Sequence, residues 1–324
     1  MTRWPDEERA AWQSGAREAL VEAGLDAAWV RNLVLRALDE DLGGRPDGRG
    51  TGPSRGAGHD VTTEATVAAD AEGEAHLVAR ADGVLGGLPL LPVVLAEVAA
   101  WLGLPVPYAD VLRRDGDSVV RGDVIAVLRG RTRVLLVAER TALNLISRCC
   151  GIATHTRAWA RELEGTGARV LDTRKTTPGL RMLEKYAVRC GGGTNKRMGL
   201  YDVAMVKDNH KIAAGSIKEA YRLVTERFPD VDVQVEVTTP DEAVEAVTAG
   251  AAFLLCDNMS VEVLAETVRR ARAAAPVGVV VELEATGGLT LPVANAYART
   301  GVDYLSVGAL THSSPILDVA LDLV

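Results

Sequence analysis

The sequence predicts an α/β protein in two parts, a hairpin-rich open α/β domain followed by an incomplete (β/α) barrel, and three observations carry that expectation. From Ala168 onward six short apolar runs, RVLDTR, VAMVK, VDVQVEV, AAFLLCD, VGVVVELEA and VDYLSVG, alternate with helical stretches near 180–189, 216–228, 240–249, 260–274 and 289–300. Strands that are apolar along most of their length and separated by helices belong to a parallel sheet covered on its faces, and six or seven such units approach a barrel. Polar or glycine residues gather where these runs end: Arg174 and Lys175, Lys207 with Asp208 and Asn209, Glu236, Asp257 and Asn258, Thr286 with Gly287 and Gly288, and Gly308. The carboxyl ends of parallel barrel strands converge on one mouth, where such folds bind and react. Before the alternation begins, Asp-Gly and Arg-Gly turns punctuate VLRRDGDSVVRGDVIAVLRGRTRVLL, the pattern of short antiparallel strands.

Taken in order, residues 1–24 are polar, helical in composition and tied to no later pattern, and are read as an N-terminal extension. Asp26 is placed to cap AAWVRNLVLRALDEDLG, where Val30, Leu33, Val34, Ala37, Leu38 and Leu42 recur at helical spacing. Residues 43–59 hold seven glycines and two prolines in 17 positions. So little apolar surface cannot offset the entropy of ordering, and a flexible insert is expected. Order resumes at Asp60 with a strand and Gly turn in AHLVARADGVLGG, then an apolar helix in LPLLPVVLAEVAAWLG, then the hairpin region. That region resembles the small modules that carry lipoyl and biotinyl groups, but it lacks an exposed lysine at a hairpin tip and is read as structural. Two helices in VAERTALNLISRCCGIATHTRAWARELEG lead into the barrel. The expected division is 25–145 and 146–324, with a return of the last helix to the first domain allowed for.

A chain of 324 residues suits two such units. It is 48% hydrophobic and 25% charged, with a formal net charge of -8. An acidic balance argues against nonspecific nucleic-acid or membrane-surface binding, which needs a broad basic face. Cys149, Cys150, Cys190 and Cys256 show neither a metal-binding spacing nor a secreted disulfide framework, and are read as reduced and mostly buried. No apolar run approaches the length of a membrane span, and MTRWPDEERAAWQ lacks the apolar core of a signal peptide, so a cytoplasmic location is expected.

Positive charge is local. Between Asp172 and Lys211 nine Lys and Arg face four Asp and Glu, and all six lysines of the chain lie between positions 175 and 218. A compact ammonium is not interchangeable with a guanidinium fork, so lysines confined to one stretch point to an anion site there. Arg174, Lys175 and Lys207, at strand ends, are read as site residues; Lys185, Arg189 and Lys218 as a solvated helix face. Arg140, on a helix further upstream, is either a surface cation or a ligand contact. Glu236 and Asp257, at the ends of adjacent strands, suit ribose hydroxyls or a magnesium ion, or else pair with neighbouring bases. The glycines of Ala285-Thr286-Gly287-Gly288 precede a helix, and the loops after the last two barrel strands are a usual place for a phosphate.

The motifs DTRKTTPGLR, EKYAVRCGGGTNKR, MVKDNH, VEVTTP, LLCDN and VGALTHS, preceded by ERTALNLISRCCGIAT, resemble in order and spacing those of quinolinate phosphoribosyltransferase, the decarboxylating nicotinate-nucleotide pyrophosphorylase. The likeness runs from about Leu25 to Val324, interrupted by the Gly-rich insert. It implies an N-terminal open α/β domain and a C-terminal incomplete barrel of the type II phosphoribosyltransferase kind. It also implies a homodimer or higher assembly with a shared active site. The implied reaction joins quinolinate to 5-phosphoribosyl-1-pyrophosphate, with Mg2+, in the synthesis of NAD. By motif, Arg174, Arg197 and Lys207 would hold the quinolinate carboxylates, with Arg140 reaching in from a neighbouring subunit and Lys196 a further substrate-binding residue in the acid-binding pocket. Lys175 and Lys207 would meet the pyrophosphate, Glu236 and Asp257 the ribose and metal, and Thr286, Gly287, Gly288 and Gly308 the 5-phosphate. Two positions depart from the family pattern: Lys196 stands where a His is usual, and Thr286 where a Ser is usual. Other readings of the same residues are a related phosphoribosyltransferase acting on another pyridine or aromatic acid, a Schiff-base lyase using Lys175 or Lys207, and a noncatalytic nucleotide-binding protein.

Overall fold

A computed structural model describes residues 15–44 and 58–324. The expectations for residues 1–14 and for 45–57, the greater part of the Gly-rich insert, lie outside the described residues. Two compact units are present: the described residues up to Thr154 together with Pro315–Val324, and His155–Ser314. The boundary thus falls nine residues later than the sequence suggests. The segment that returns to the first unit is a strand, β12 (Val319–Leu323), rather than a helix.

Residues 15–22 of the expected extension are helical and bury Ala16 and Leu20. The first labelled helix, α1 (Ala27–Leu42), begins as the sequence predicts: Asp26 accepts the Trp29 amide at 2.7 Å, and Gly43 ends the helix with φ 77°. It buries Val30, Leu33, Val34, Leu38 and Leu42. After α2 (Val61–Thr66), capped by Asp60, come β1 (Glu72–Ala79) and β2 (Gly83–Val84). Next are α3 (Leu90–Leu102), against which α1 packs, then β3 (Tyr108–Val111), β4 (Ser118–Val119) and β5 (Val124–Arg131). The four-stranded sheet has the order β12-β1-β5-β3 and is antiparallel throughout; β2 and β4 form a separate ribbon.

One continuous helix, α4 (Thr132–Glu162), replaces the two expected, and it also takes in the residues TRVLL that read as strand. At about 1.5 Å per residue its 31 residues span roughly 46 Å. Gly151, ordinarily a weak point in a helix, sits where a Cβ would collide with the Pro315 carbonyl, so close backbone approach explains it without a break.

The second unit holds β6 (Arg169–Leu171), β7 (Val203–Val206), β8 (Asp232–Val237), β9 (Phe253–Asp257), β10 (Glu282–Thr286) and β11 (Tyr304–Ser306). They form one parallel sheet in the order β6-β11-β10-β9-β8-β7. The first strand pairs with the last and every other neighbour is sequential, which is the cyclic order of a barrel with one seam open between β6 and β7. Thr194 bridges to Leu171 beside that seam. Covering helices are α5 (Arg181–Cys190), α6 (Asp208–Ala214), α7 (Ile217–Arg227), α8 (Pro240–Thr248) and α9 (Val261–Ala274), followed after β10 by a 3-10 turn and α10 (Ala294–Ala298). Pro240 stands in the first turn of α8, where its missing N–H costs nothing. The run VGVVVELEA is strand only from Glu282, whose partner Phe253 is the first residue of β9. Val277 and Val280, which have no strand beside them, are exposed.

Candidate active site at the barrel mouth

Because the strands are parallel and side chains alternate, residues two apart share a face. Registers align Met205 with Gln234, Gln234 with Phe253, Glu236 with Leu255, Leu255 with Glu284, Asp257 with Thr286, and Glu284 with Tyr304. A cleft of about 610 Å³ opens onto this face and is lined by Arg174, Lys175, Arg197, Lys207, Glu236, Asp257, Thr286, Gly287, Gly288 and Gly308 among others. The strand-end residues scattered from position 174 to 308 are therefore neighbours. Lys196 also lines the cleft, and Arg140 is exposed on α4 in the first unit.

The loops that carry Arg174, Lys175 and Arg197 are held by hydrogen bonds to backbone and hydroxyl groups. Arg181, on α5, donates to Thr176 Oγ1 at 3.0 Å, the Met198 carbonyl at 2.9 Å and the Arg174 carbonyl at 3.3 Å, binding the loop after β6 to the loop before β7. Thr311 Oγ1, in the short helix α11 (Ala309–His312), donates to the Lys175 carbonyl at 2.8 Å. Arg197 Nε donates to the Gly199 carbonyl at 3.0 Å. Its pKa is lowered, first by burial and then by the neighbouring Arg174 charge, which Asp202 offsets only in part. A guanidinium whose charge is disfavoured by a neighbouring cation marks a place that an anion would relieve.

The acids are likewise close together. Lys207 Nζ donates to Glu236 Oε2 at 3.0 Å. The Asp257 carboxyl is pushed up by burial, then by the Glu236 and Asp208 charges, against the pull of Lys207 and Lys175. A carboxylate held unfavourably beside another suits a cation or a hydroxyl-bearing ligand. Among the described residues no group of three or more His, Cys, Asp or Glu stands ready to enclose a metal. Magnesium that keeps its waters and leans on ligand phosphate needs no such cluster, so the two acids fit that ion without forming a protein cage.

The glycine loop has the backbone its residues imply. Gly287 and Gly288 lie at φ 97° and 61°, and a Cβ on Gly287 would come within 2.9 Å of the Asn258 amide nitrogen. Asn258 itself has φ 55°, and its amide donates to the Thr286 carbonyl at 2.9 Å. Gly308 leaves room for Lys175 and His312, whose side chains would stand 3.0 and 3.1 Å from a Cβ there.

Two lysines depart from their expected settings. Lys185, read as part of a solvated face, is 1% exposed and forms an ion pair with Asp172. Its Nζ also donates to the Lys196 carbonyl at 2.8 Å, and Asn195 Nδ2 bonds Asp172 and, at 2.8 Å, the Lys185 carbonyl. Burial pushes the Asp172 carboxyl up and the Lys185 ammonium down, and their contact opposes both. The whole stretch Leu183–Val188 is buried, so the helical charge pattern misleads there. Arg189 and Lys218 are exposed, as expected. Lys196 turns its ammonium inward over the Phe253 ring, with the Tyr304 ring centroid at 5.6 Å. Both rings belong to the first residues of their strands, at the opposite end of the barrel from Asp257 and Gly308.

The sequence reading overlooked Met205, Gln234, Leu255, Glu284 and Ser306, all of which line the cleft. Each lies two positions before a residue that was recognised, namely Lys207, Glu236, Asp257, Thr286 and Gly308. Applying strand alternation backwards from the strand ends finds all five. His312, in a helix beyond the last strand, left no such trace.

Models of the quinolinate phosphoribosyl transferase N-terminal and C-terminal domains match residues 60–150 and 152–322. The chain belongs to this family. Nicotinate-nucleotide pyrophosphorylase [carboxylating] of Mycobacterium leprae is 42% identical over 304 residues, 94% of this chain and 100% of that one. Quinolinate phosphoribosyltransferase [decarboxylating] 1b of Nicotiana tabacum is 36% identical over 307 residues, 91% of this chain and 82% of that one. The solved structure of NadC from Streptococcus pyogenes superposes with a TM-score of 0.82 at 32% identity, covering 93% of this chain and 98% of that one. Membership of the quinolinate phosphoribosyl transferase family accounts for both units of the fold.

Proposed function

We propose that the chain transfers phosphoribosyl from 5-phosphoribosyl-1-pyrophosphate to quinolinate, with decarboxylation, giving nicotinate mononucleotide, pyrophosphate and carbon dioxide in the synthesis of NAD. The observation that carries this reading is the convergence of four cations, two acids and the glycine loops in one cleft of a chain that the family spans on both units.

In this reading Arg174 and Arg197 hold the acid's two carboxylates, and a dianion relieves their mutual repulsion. Lys175 and Lys207 face the pyrophosphate, Glu236 and Asp257 the ribose hydroxyls, and Thr286, Gly287, Gly288 and Gly308 the 5-phosphate. The C1–O bond to pyrophosphate breaks as the pyridine nitrogen bonds to C1, and both leaving-group electrons depart with the pyrophosphate. The lysines stabilise that developing charge, and the two acids favour positive charge on the ribose ring. The pyridinium then draws the electron pair of the bond to the adjacent carboxylate, carbon dioxide leaves, and the ring carbon takes a proton from solvent. No side chain bonds covalently to either substrate. Mg2+ held at Glu236 and Asp257 through water or substrate would neutralise the donor's diphosphate.

A homodimer completes the reading, with Arg140 supplied to the cleft by a second copy. Leu200, Tyr201 and Ile212, close in sequence to Arg197 and Lys207, are 74, 78 and 78% exposed, and apolar side chains left to water beside a site suit cover by a partner. Cysteines that form no disulfide among the described residues fit a reducing cytoplasm, and among the described residues no helix is long and apolar enough to cross a membrane. The decisive assay is release of carbon dioxide from carboxyl-labelled quinolinate. Release that depends on the phosphoribosyl donor is expected; donor-independent release, or none, overturns the reading.

A further inference from the structure

Beneath the mouth, the barrel interior holds a second set of polar groups that the reaction does not use. Glu284, 5% exposed, accepts a hydrogen bond from Gln234 Nε2 at 2.6 Å and another from Ser306 Oγ. These three residues come from β10, β8 and β11, so one carboxylate ties three strands together across the lumen. Each stands two residues before a group assigned above to the phosphoribosyl donor: Gln234 before Glu236, Glu284 before Thr286, Ser306 before Gly308. A strand rises about 3.3 Å per residue, so the clamp lies a single layer below the donor's contacts.

A buried carboxylate that accepts two hydrogen bonds still needs a counter-charge, because burial favours its neutral form. Lys196 is placed to supply it. Its ammonium, turned inward over the Phe253 ring with Tyr304 nearby, makes no ion pair or hydrogen bond of its own among the described residues. Lys196 and Glu284 line the same cleft, the Tyr304 ring near that ammonium belongs to the residue paired with Glu284 across β10 and β11, and Glu284 acts on the ammonium ahead of Glu282 and Asp232. Asp172 disfavours charge on Glu284, and Asp172 is already engaged by Lys185 and Asn195. Burial pushes the Glu284 carboxyl up and the Lys196 ammonium down, and each charge opposes the shift of the other.

We propose that Lys196 is a positioning residue: its ammonium is the counter-charge that keeps Glu284 an acceptor between Gln234 and Ser306, and through that clamp it sets the spacing of the strand ends that receive the phosphoribosyl donor. The assignment of the donor rests on the function proposed above; the charge state of the clamp does not. The residue therefore acts from below on the phosphorylated sugar, although its place in the sequence points to the acid.

Lys196→Met, which keeps length and apolar stem, tests this. The Michaelis constant for 5-phosphoribosyl-1-pyrophosphate is expected to rise roughly tenfold, the scale of one network interaction, while that for quinolinate changes by less than about twofold. A carboxylic-acid C=O stretch absent from the wild type should appear in the infrared spectrum of Lys196→Met at neutral pH and vanish in Lys196→Met/Glu284→Gln. In the double variant, loss of Lys196 should add nothing to the effect of Glu284→Gln on donor binding. A rise confined to quinolinate, or a Glu284 that stays ionised without Lys196, overturns the proposal. Should Lys196→Met not fold, the wild type decides: a protonated-acid band at neutral pH that Glu284→Gln removes is equally fatal. The infrared result is independent of turnover, so a protein that fails the carbon dioxide assay still reports on the clamp.

Discussion

The mouth of the barrel and its interior use the same side chains in opposite ways. At the mouth Arg174, Lys175, Arg197 and Lys207 outnumber the acids beside them; Lys207 is paired with Glu236, while hydrogen bonds within the loops hold the segments that carry the other three. A layer or two below, Lys185 and Asp172 neutralise one another, and Glu284 accepts hydrogen bonds from Gln234 and Ser306. Charge left over is charge available to a ligand, whereas charge matched within the protein contributes to the shape of the site and not to its affinity. Position along the strand, not residue type, separates the two roles.

That contrast can be broken most forcefully at the buried pair. Lys185→Met leaves Asp172 ionisable and uncompensated, and stability is expected to fall by about 3–5 kcal/mol, read from urea unfolding. A loss below about 1 kcal/mol would make the pair no different from a surface salt bridge. At the mouth the expected response is reversed. Lys175→Ala should lower turnover by roughly 10²- to 10³-fold while stability stays within about 0.5 kcal/mol of the parent; an unchanged steady-state rate would remove Lys175 from the chemistry.

Asp257 sharpens the boundary between the two regions with a smaller effect. Its folded pKa is raised, so the folded state binds its proton more tightly than the unfolded state does. The resulting stabilisation is fully present below the unfolded carboxylate pKa and is lost as pH rises through the higher folded value. Asp257→Asn should therefore flatten the fall in thermal midpoint over that interval and leave the protein at least as stable at neutral pH, although less active. A midpoint that drops at neutral pH would show that Asp257 is a structural acid.

Much of this was readable from residue order alone. All six barrel strands and the acids and bases at their ends follow from alternation of apolar runs with helices, because a parallel strand buried on both faces declares itself by composition. What the pattern hid was the inward face, where Gln234, Glu284 and Ser306 interrupt apolar runs too short for a period of two to stand out. Lys185 was misread because its partner, Asp172, is distant in sequence and local charge spacing says nothing about it. The continuity of α4, expected as two helices, was not legible either: what accounts for Gly151 within it lies at Pro315, distant in sequence.

The strand β12 has a consequence for how the molecule is made. It is one of the two edge strands of the antiparallel sheet, pairing with β1 from Ala75 opposite Leu323 to Ala79 opposite Val319. Until Leu323 has left the ribosome, β1 keeps a row of unmatched amides and carbonyls along one side while more than two hundred intervening residues are translated. While the residues between the two strands are being made, that open side of β1 is a site for edge-to-edge association, and pairing with β12 covers it.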